Sequence, residues 1–307
     1  MNPILLGMTC YGEQYLNSFF NYTLPSLMSE GNLPALGKVR DVRLLIHTDK
    51  ASAHHFANKG FQTLCNVMEG DKYEQIGIHQ HQDLAIAKQN GADYHLLMPD
   101  FVYSGDFFEG MLKASGKYKA ITRLVVSTTQ ETIWPHLKVG ISAKDLATLS
   151  LQHIHPGIRH WLMPGTGLPN THVVAWVGKD TLRMCSPHQT VVYIANEAIK
   201  LDDTSFPLDC ILDRVIDGDI HCTKPEDEMV VIEISPQDSR KPNDKTIDLN
   251  EFIRIFRWDT DSSPKQFEIF RQETVDAIYT QDEYWDDVAI SEQKSMIMKE
   301  IGRALNA

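Results

Sequence analysis

Several polar residues in the first hundred positions fall at the ends of short apolar runs: Thr9 and Tyr11, then His47, Thr48 and Asp49, then Asp100 and Tyr103. His79 and His81 stand at the start of a helical pattern between them. An aromatic, a carboxylate and several hydrogen-bonding groups converging at one end of a sheet would suit a nucleotide base and ribose. Each residue alone also reads as ordinary loop polarity or a helix cap. Their recurrence at successive segment ends singles them out.

Histidine is the other conspicuous group, with 13 in the chain. His79-Gln80-His81 and His153-Ile154-His155 are H-x-H pairs, which on a strand place both rings on one face and can chelate zinc. Both pairs adjoin helical patterns, where residues i and i+2 point apart, and there is no nearby Cys/Asp/Glu set with a zinc-ligand spacing. Structural or hydrogen-bonding roles are the reading for them, with His155 before Pro156 marking a loop. Carboxylates crowd at Asp209, Asp213, Asp217, Asp219 and Glu226-Asp227-Glu228, a pattern that for most of them reads as a solvated acidic loop. Asp217-Gly218-Asp219 lacks the twelve-residue loop with a terminal Glu that a calcium site needs.

The elements that must position these groups alternate in type. Strands are predicted at residues 4–8, 42–47, 61–67, 93–98 and 118–126, and helices at 13–31 (kinked or divided at Pro25), 51–59 and 79–89. Strands interleaved with helices at this spacing predict a Rossmann-like, mostly parallel α/β sheet with helices on both faces. In such a sheet the ligand lies beyond the carboxyl ends of the strands, which is where the first set of residues falls. The second half adds a helix at 143–152 opened by a Ser142/Asp145 capping box, strands at 172–177, 182–185, 190–195 and 229–234, and a helical tail from about 248. One domain over 1–247 is expected, divided into a ligand-binding half (1–130) and a second half (131–247), with a C-terminal helical extension over 248–307.

Composition narrows the function classes. Across 307 residues the formal charge is −12, so no basic excess exists to release counterions from a phosphate backbone, and nucleic acid is not an expected partner. A nucleotide stays admissible, because much of the acidity falls in 202–228 and the C-terminal tail. Five scattered cysteines without a C-x-x-C pair predict reduced, mostly buried thiols. With no basic leader and no run of 18 apolar residues, a cytoplasmic protein without a transmembrane segment is expected. P-loop, G-x-G-x-x-G and G-x-S-x-G signatures are absent. Trp134, Trp161 and Trp176 read as core residues or as stacking faces for sugars.

The order of elements, and in particular DLAIAKQNGADYHLLMPDFVYS, resembles the nucleotide-binding half of GT-A-type glycosyltransferases. The segments HPGIRHW, THVVAWVGKDTLRMCSPHQTVVYI and PEDEMVVIEIS are similar to a bacterial set of that fold. The resemblance implies a GT-A-like fold and transfer of a sugar from a nucleotide-sugar donor to a hydroxyl acceptor: a glycan, a lipid-linked glycan or a protein. It implies donor binding by Thr9, Tyr11, His47, Asp49, Lys88 and Asp100. Mn or Mg with the donor diphosphate is the implied cofactor, held by Asp100 with help from His188. Where the family carries D-x-D, this chain has Pro99-Asp100-Phe101-Val102, one carboxylate in place of two. Metal-independent neutralisation of the diphosphate by Lys88, Arg123, Arg159 or Arg183 is the alternative. A carboxylate base for the acceptor falls to Asp227 or Glu228, and next to Asp219. Two other readings stand beside this one: a nucleotide-binding module of the same fold without transfer, and a metal-dependent hydrolase using the histidine pairs.

Overall fold

A computed structural model describes residues 1–67, 72–123, 125–159, 168–169, 174–177, 181–185, 190–201, 215, 220–223, 229–239, 246–247 and 276–279. In chain order its first elements are β1 (Ile4–Thr9), α1 (Glu13–Ser18), α2 (Leu24–Leu27), α3 (Leu33–Val39), β2 (Val42–His47), α4 (Ala53–Ala57), β3 (Thr63–Leu64), α5 (Lys72–Gln89) and β4 (Asp93–Leu97). Then come β5 (Phe101–Tyr103), α6 (Phe107–Ser115), β6 (Ala120–Arg123), β7 (Val126–Thr129), α7 (Gln130–Ile133), α8 (Ala143–Gln152) and α9 (Pro156–Arg159). Strands β8 (Leu168–Pro169), β9 (Val174–Val177), β10 (Thr181–Cys185), β11 (Thr190–Ile194), β12 (Ile220–Cys222), β13 (Val231–Ser235), β14 (Thr246–Ile247) and β15 (Asp276–Tyr279) complete the series.

Seven strands form the main sheet in the order β12-β6-β11-β4-β1-β2-β3. Strands β3, β2, β1 and β4 run parallel, in a register that sets Ile4 against Val42 and Asp93, and Thr9 against His47. β11 runs antiparallel between β4 and β6, and β12 is parallel to β6. The expected mostly parallel α/β sheet is therefore present, with one reversed strand. β1 is buried along almost its whole length because β2 and β4 flank it and α5 packs against it, which explains its continuous apolar run. The core joins Ile4, Leu6 and Met8 to Phe19, Phe56, Leu84, Tyr94, Phe107 and Phe108.

Several elements differ from the sequence expectation, among them α3, β5 and α6, which it lacked, and α5, which starts at Lys72 rather than at 79. The apolar run at 118–126 is not one strand: β6 lies in the main sheet, whereas β7 lies in a second sheet ordered β5-β13-β7. A strand bordering two cores can change sheets midway, and the second core of Tyr22, Val102, Val126, Ile133, Leu146 and Ile232 supplies the reason. The segment expected to be kinked or divided at Pro25 is divided: a π-helical turn at Phe19–Thr23 separates α1 from α2, and Pro25 stands in the first turn of α2. The helical tail expected from about 248 is corrected at Asp276–Tyr279, a strand that pairs antiparallel with β10. The alternation in that short apolar run fits either period. The rest of the 248–307 extension lies outside the described residues.

The Ser142/Asp145 capping box is formed: Ser142 Oγ accepts from the Asp145 amide at 3.1 Å and donates to its carboxylate at 2.8 Å. Cys10 and Cys65 are free thiols, the first buried and the second exposed. Among the described residues no helix is long and apolar enough to cross a membrane.

Candidate functional site

Strand order reverses between β1 and β4, the pattern that opens a ligand site beyond the strand ends. Cys10 marks the place. Its amide donates to the His47 carbonyl at 2.9 Å, tying the exits of β1 and β2 together. Burial, and then the charges of Asp100 and Asp49, push its thiol well above the usual range. Both carboxylates thus act on one buried sulfur at the carboxyl edge of the sheet. Thr9 and Tyr11 flank it and are half-buried.

The backbone beyond β1 turns at Gly12, whose φ of 77° suits a residue without a Cβ. The Gly12 amide donates to Ser52 Oγ at 3.1 Å, and the Ser52 amide donates to Asp49 Oδ1 at 2.5 Å. Asp49 therefore organises the turn into α4, and its second oxygen is not used in this bond. Asp100 sits between β4 and β5, where the two sheets meet, and its carbonyl accepts from the Ile234 amide at 2.8 Å. Thr23 Oγ1 donates to the preceding Pro99 carbonyl at 2.7 Å and so fixes the same loop from the helical side.

Beneath Thr9 lies a buried polar cluster carried by α5. His79 Nδ1 is 3.0 Å from Thr9 Oγ1, and the His79 ring stacks on His47 at 4.2 Å. His47 Nε2 is 2.7 Å from Asp83 Oδ1, and Tyr94 donates to Asp83 Oδ2 at 3.4 Å. Burial pushes the Asp83 carboxyl up against the opposing pull of His47 and Tyr94. Gly7 makes the approach possible, because Asp83 and Tyr94 pack directly over its missing side chain. The sequence reading missed Asp83, although His79 and Asp83 stand four residues apart and therefore on one helix face.

Thr9, Tyr11, Asp49 and Asp100 are brought to one edge. Two other expected donor contacts need correction. His47 is fully buried and bonded to Asp83 and Asn66, so it supports the edge from below and is not presented to a ligand. Lys88 lies at the opposite edge, donating to the Asn196 carbonyl at 3.0 Å, because α5 runs back along the sheet and ends beside the start of β4. Asp219, Asp227 and His188 lie outside the described residues. Arg123, named as an alternative cation for the diphosphate, is only 2% exposed and donates to Thr223 Oγ1 at 2.9 Å. His155 is buried as well, with Nε2 2.9 Å from the Pro236 carbonyl. Trp134 is half-exposed and meets Tyr22 edge-on at 4.5 Å.

Among the described residues no three His, Cys, Asp or Glu side chains group to hold a metal ion. Asp100 would need donor phosphates and residues beyond the described ones to complete a Mg or Mn shell.

Burial pushes His95, set among Tyr103, Phe107 and Phe108, down to about 4; burial and then the charge of His47 do the same to His79. A ring kept neutral in the folded state stabilises fully above the unfolded value near 6.5 and loses that contribution as pH falls toward 4. Each contributes a slope of up to about 1.4 kcal/mol per pH unit in that window. Urea midpoints measured from pH 7.5 to 5 should fall, and a His95→Phe variant should fall less steeply; parallel profiles would contradict the assignment.

No protein-family model and no curated protein matches this chain.

Proposed function

We propose that the protein is a glycosyltransferase that takes its sugar from a nucleotide-sugar donor and passes it to a hydroxyl acceptor. The observation that carries this reading is that Thr9, Tyr11, Asp49 and Asp100 all lie at or just past the carboxyl ends of β1, β2 and β4, where the order β3-β2-β1-β4 reverses direction. The GT-A-like pattern of the first 130 residues supports it from the sequence side. In this reading Thr9, Tyr11 and Asp49 hold the nucleoside, and Asp100 orients the diphosphate at the junction of the two sheets. The second sheet faces the acceptor. Asp227, and next Asp219, supplies the base that takes the acceptor's proton as its oxygen attacks the anomeric carbon and the nucleoside diphosphate departs. Acceptors of the class are glycans, lipid-linked glycans or proteins, and a cytoplasmic setting belongs to the same proposal. A bound Mg or Mn would add charge neutralisation at the diphosphate.

The test is nucleoside diphosphate release from a panel of nucleotide sugars, with and without Mn²⁺. Slow release by the natural chain, lost in Asp100→Ala with nucleoside diphosphate binding retained in part, is the expected result. Nucleotide binding with no release from any donor would favour the binding module, whose support is the single carboxylate at Asp100.

A further inference from the structure

Helices α3 and α6 pack on each other and lead into β2 and β6, two strands that share the direction of β1. Both helices therefore end at the amino edge of the main sheet, opposite the candidate site. Lys38 on α3, Lys113 on α6, and Lys117 and Lys119 in the loop to β6 are all exposed there. β11 runs the other way and ends at the same edge, where Lys200 and Leu201 follow it, both exposed. The exposed carboxylates of the edge are Glu197 and Asp41, and Arg43 engages the second at 2.9 Å. Asp93 is buried with Arg40 and presents no charge to solvent. Asp202 and Asp203, next in sequence, lie outside the described residues. Asp49 and Asp100 stand at the opposite edge, so charge is segregated across the sheet in a chain whose formal total is −12.

A lysine in the last turn of a helix answers the helix dipole, which accounts for Lys38 and Lys113. The dipole does not account for Lys117, Lys119 and Lys200 beyond the helix ends. Nor does it explain two aliphatic side chains left in water among them, Val39 at 48% and Leu201 at 41% exposure. Ammonium groups interspersed with aliphatic ones match the headgroup layer of an anionic bilayer: the charges meet lipid phosphates and the apolar groups enter the acyl boundary. A nucleic acid or an acidic protein would engage the lysines and leave the aliphatic groups unused. The local sign decides the attraction, because β1 spans six residues, roughly 20 Å, against a Debye length of about 8 Å at physiological ionic strength.

We infer that the amino edge of the main sheet is a peripheral docking surface for anionic lipid, which holds the chain on a membrane with the carboxyl edge turned to water. The surface is independent of the nucleotide-sugar reading, since it lies at the other end of the strands.

Flotation of the full chain with vesicles tests it, using phosphatidylcholine alone and phosphatidylcholine mixed with phosphatidylglycerol. The natural chain should float with the mixed vesicles only and be released by high salt. Lys113→Ala/Lys117→Ala/Lys119→Ala should lower partitioning about a hundredfold, at about fivefold per charge, and Val39→Ser should lower it on its own. Lys59→Ala/Lys138→Ala/Lys144→Ala, which removes as many exposed lysines from other faces, should float like the natural chain. Thermal unfolding establishes that the variants fold. Absence of vesicle binding, equal binding to neutral vesicles, or an unaffected triple variant at the edge would overturn the inference. Retention on DNA or on a polyglutamate peptide without flotation would overturn it too, in favour of a nucleic acid or protein partner. None of these results bears on nucleoside diphosphate release, so the donor site stands or falls separately.

Discussion

Replacing Arg40 with alanine is expected to lower the unfolding free energy by about 3–5 kcal/mol, the range seen when one partner of a buried ion pair is removed. Arg40 and Asp93 form such a pair at the amino edge of the main sheet, with side chains 2% and 6% exposed. The guanidinium also donates to the Asn2 carbonyl at 2.7 Å, so it clamps the chain entering β1 to the first residue of β4. Asp93 in turn accepts from the Tyr193 hydroxyl at 2.7 Å and from the Asn196 amide at 2.8 Å. Without Arg40 a carboxylate remains buried among these donors with no counter-charge. Burial pushes Asp93 up, but the bonds from Arg40, Asn196, Tyr193 and Asn2 outweigh it and hold the carboxyl below its ordinary range. Its contribution is complete above the ordinary carboxylate value and is lost as pH falls through the depressed one. Urea unfolding of Arg40→Ala and of an Arg40→Met/Asp93→Leu double variant checks this. The double variant should recover most of the loss, because no charge is left uncompensated. A loss below about 1 kcal/mol in Arg40→Ala would contradict the pair's role.

Gly7→Ala is expected to cost about 1–3 kcal/mol, the range for overpacking a filled core, and to weaken nucleotide binding as well. An added Cβ would overlap Asp83 Oδ2 and lie 2.8 Å from Cε2 and Oη of Tyr94. Asp83 has little freedom to retreat, because it is 2% exposed and held by His47 and Tyr94. If it moves, His47 and the stacked His79 move with it, and Thr9 loses its support. Thermal unfolding and UDP titration of the variant read the two effects separately. A stable Gly7→Ala protein with unchanged UDP affinity would show that the cluster beneath Thr9 is not coupled to the edge above.

The strand ends were legible because β1, β2 and β4 are short apolar runs with polar exits, and a parallel sheet brings such exits to one side. Lys88 was misplaced for a reason the same logic contains: a helix joining two parallel strands returns to the amino edge, so its last turn cannot reach the site. The place of His47 was not legible, since the sequence gives a strand's alternation but not which residues a helix will cover. Asp83 and Gly7 acquire meaning only together, through a close approach that no local pattern records. The second sheet escaped reading because β5 is three residues long and pairs with a strand some 130 positions away. Non-local pairing of that kind leaves almost no periodic signal.

The most direct test of the account is amide chemical-shift mapping during titration with UDP and GDP. Perturbations centred on Thr9–Gly12, His47–Ser52 and Asp100–Phe101 are the predicted result. No perturbation, or perturbations gathered around Asp93 and Asn196 at the opposite edge, would contradict a nucleotide site at the carboxyl ends of β1 and β4.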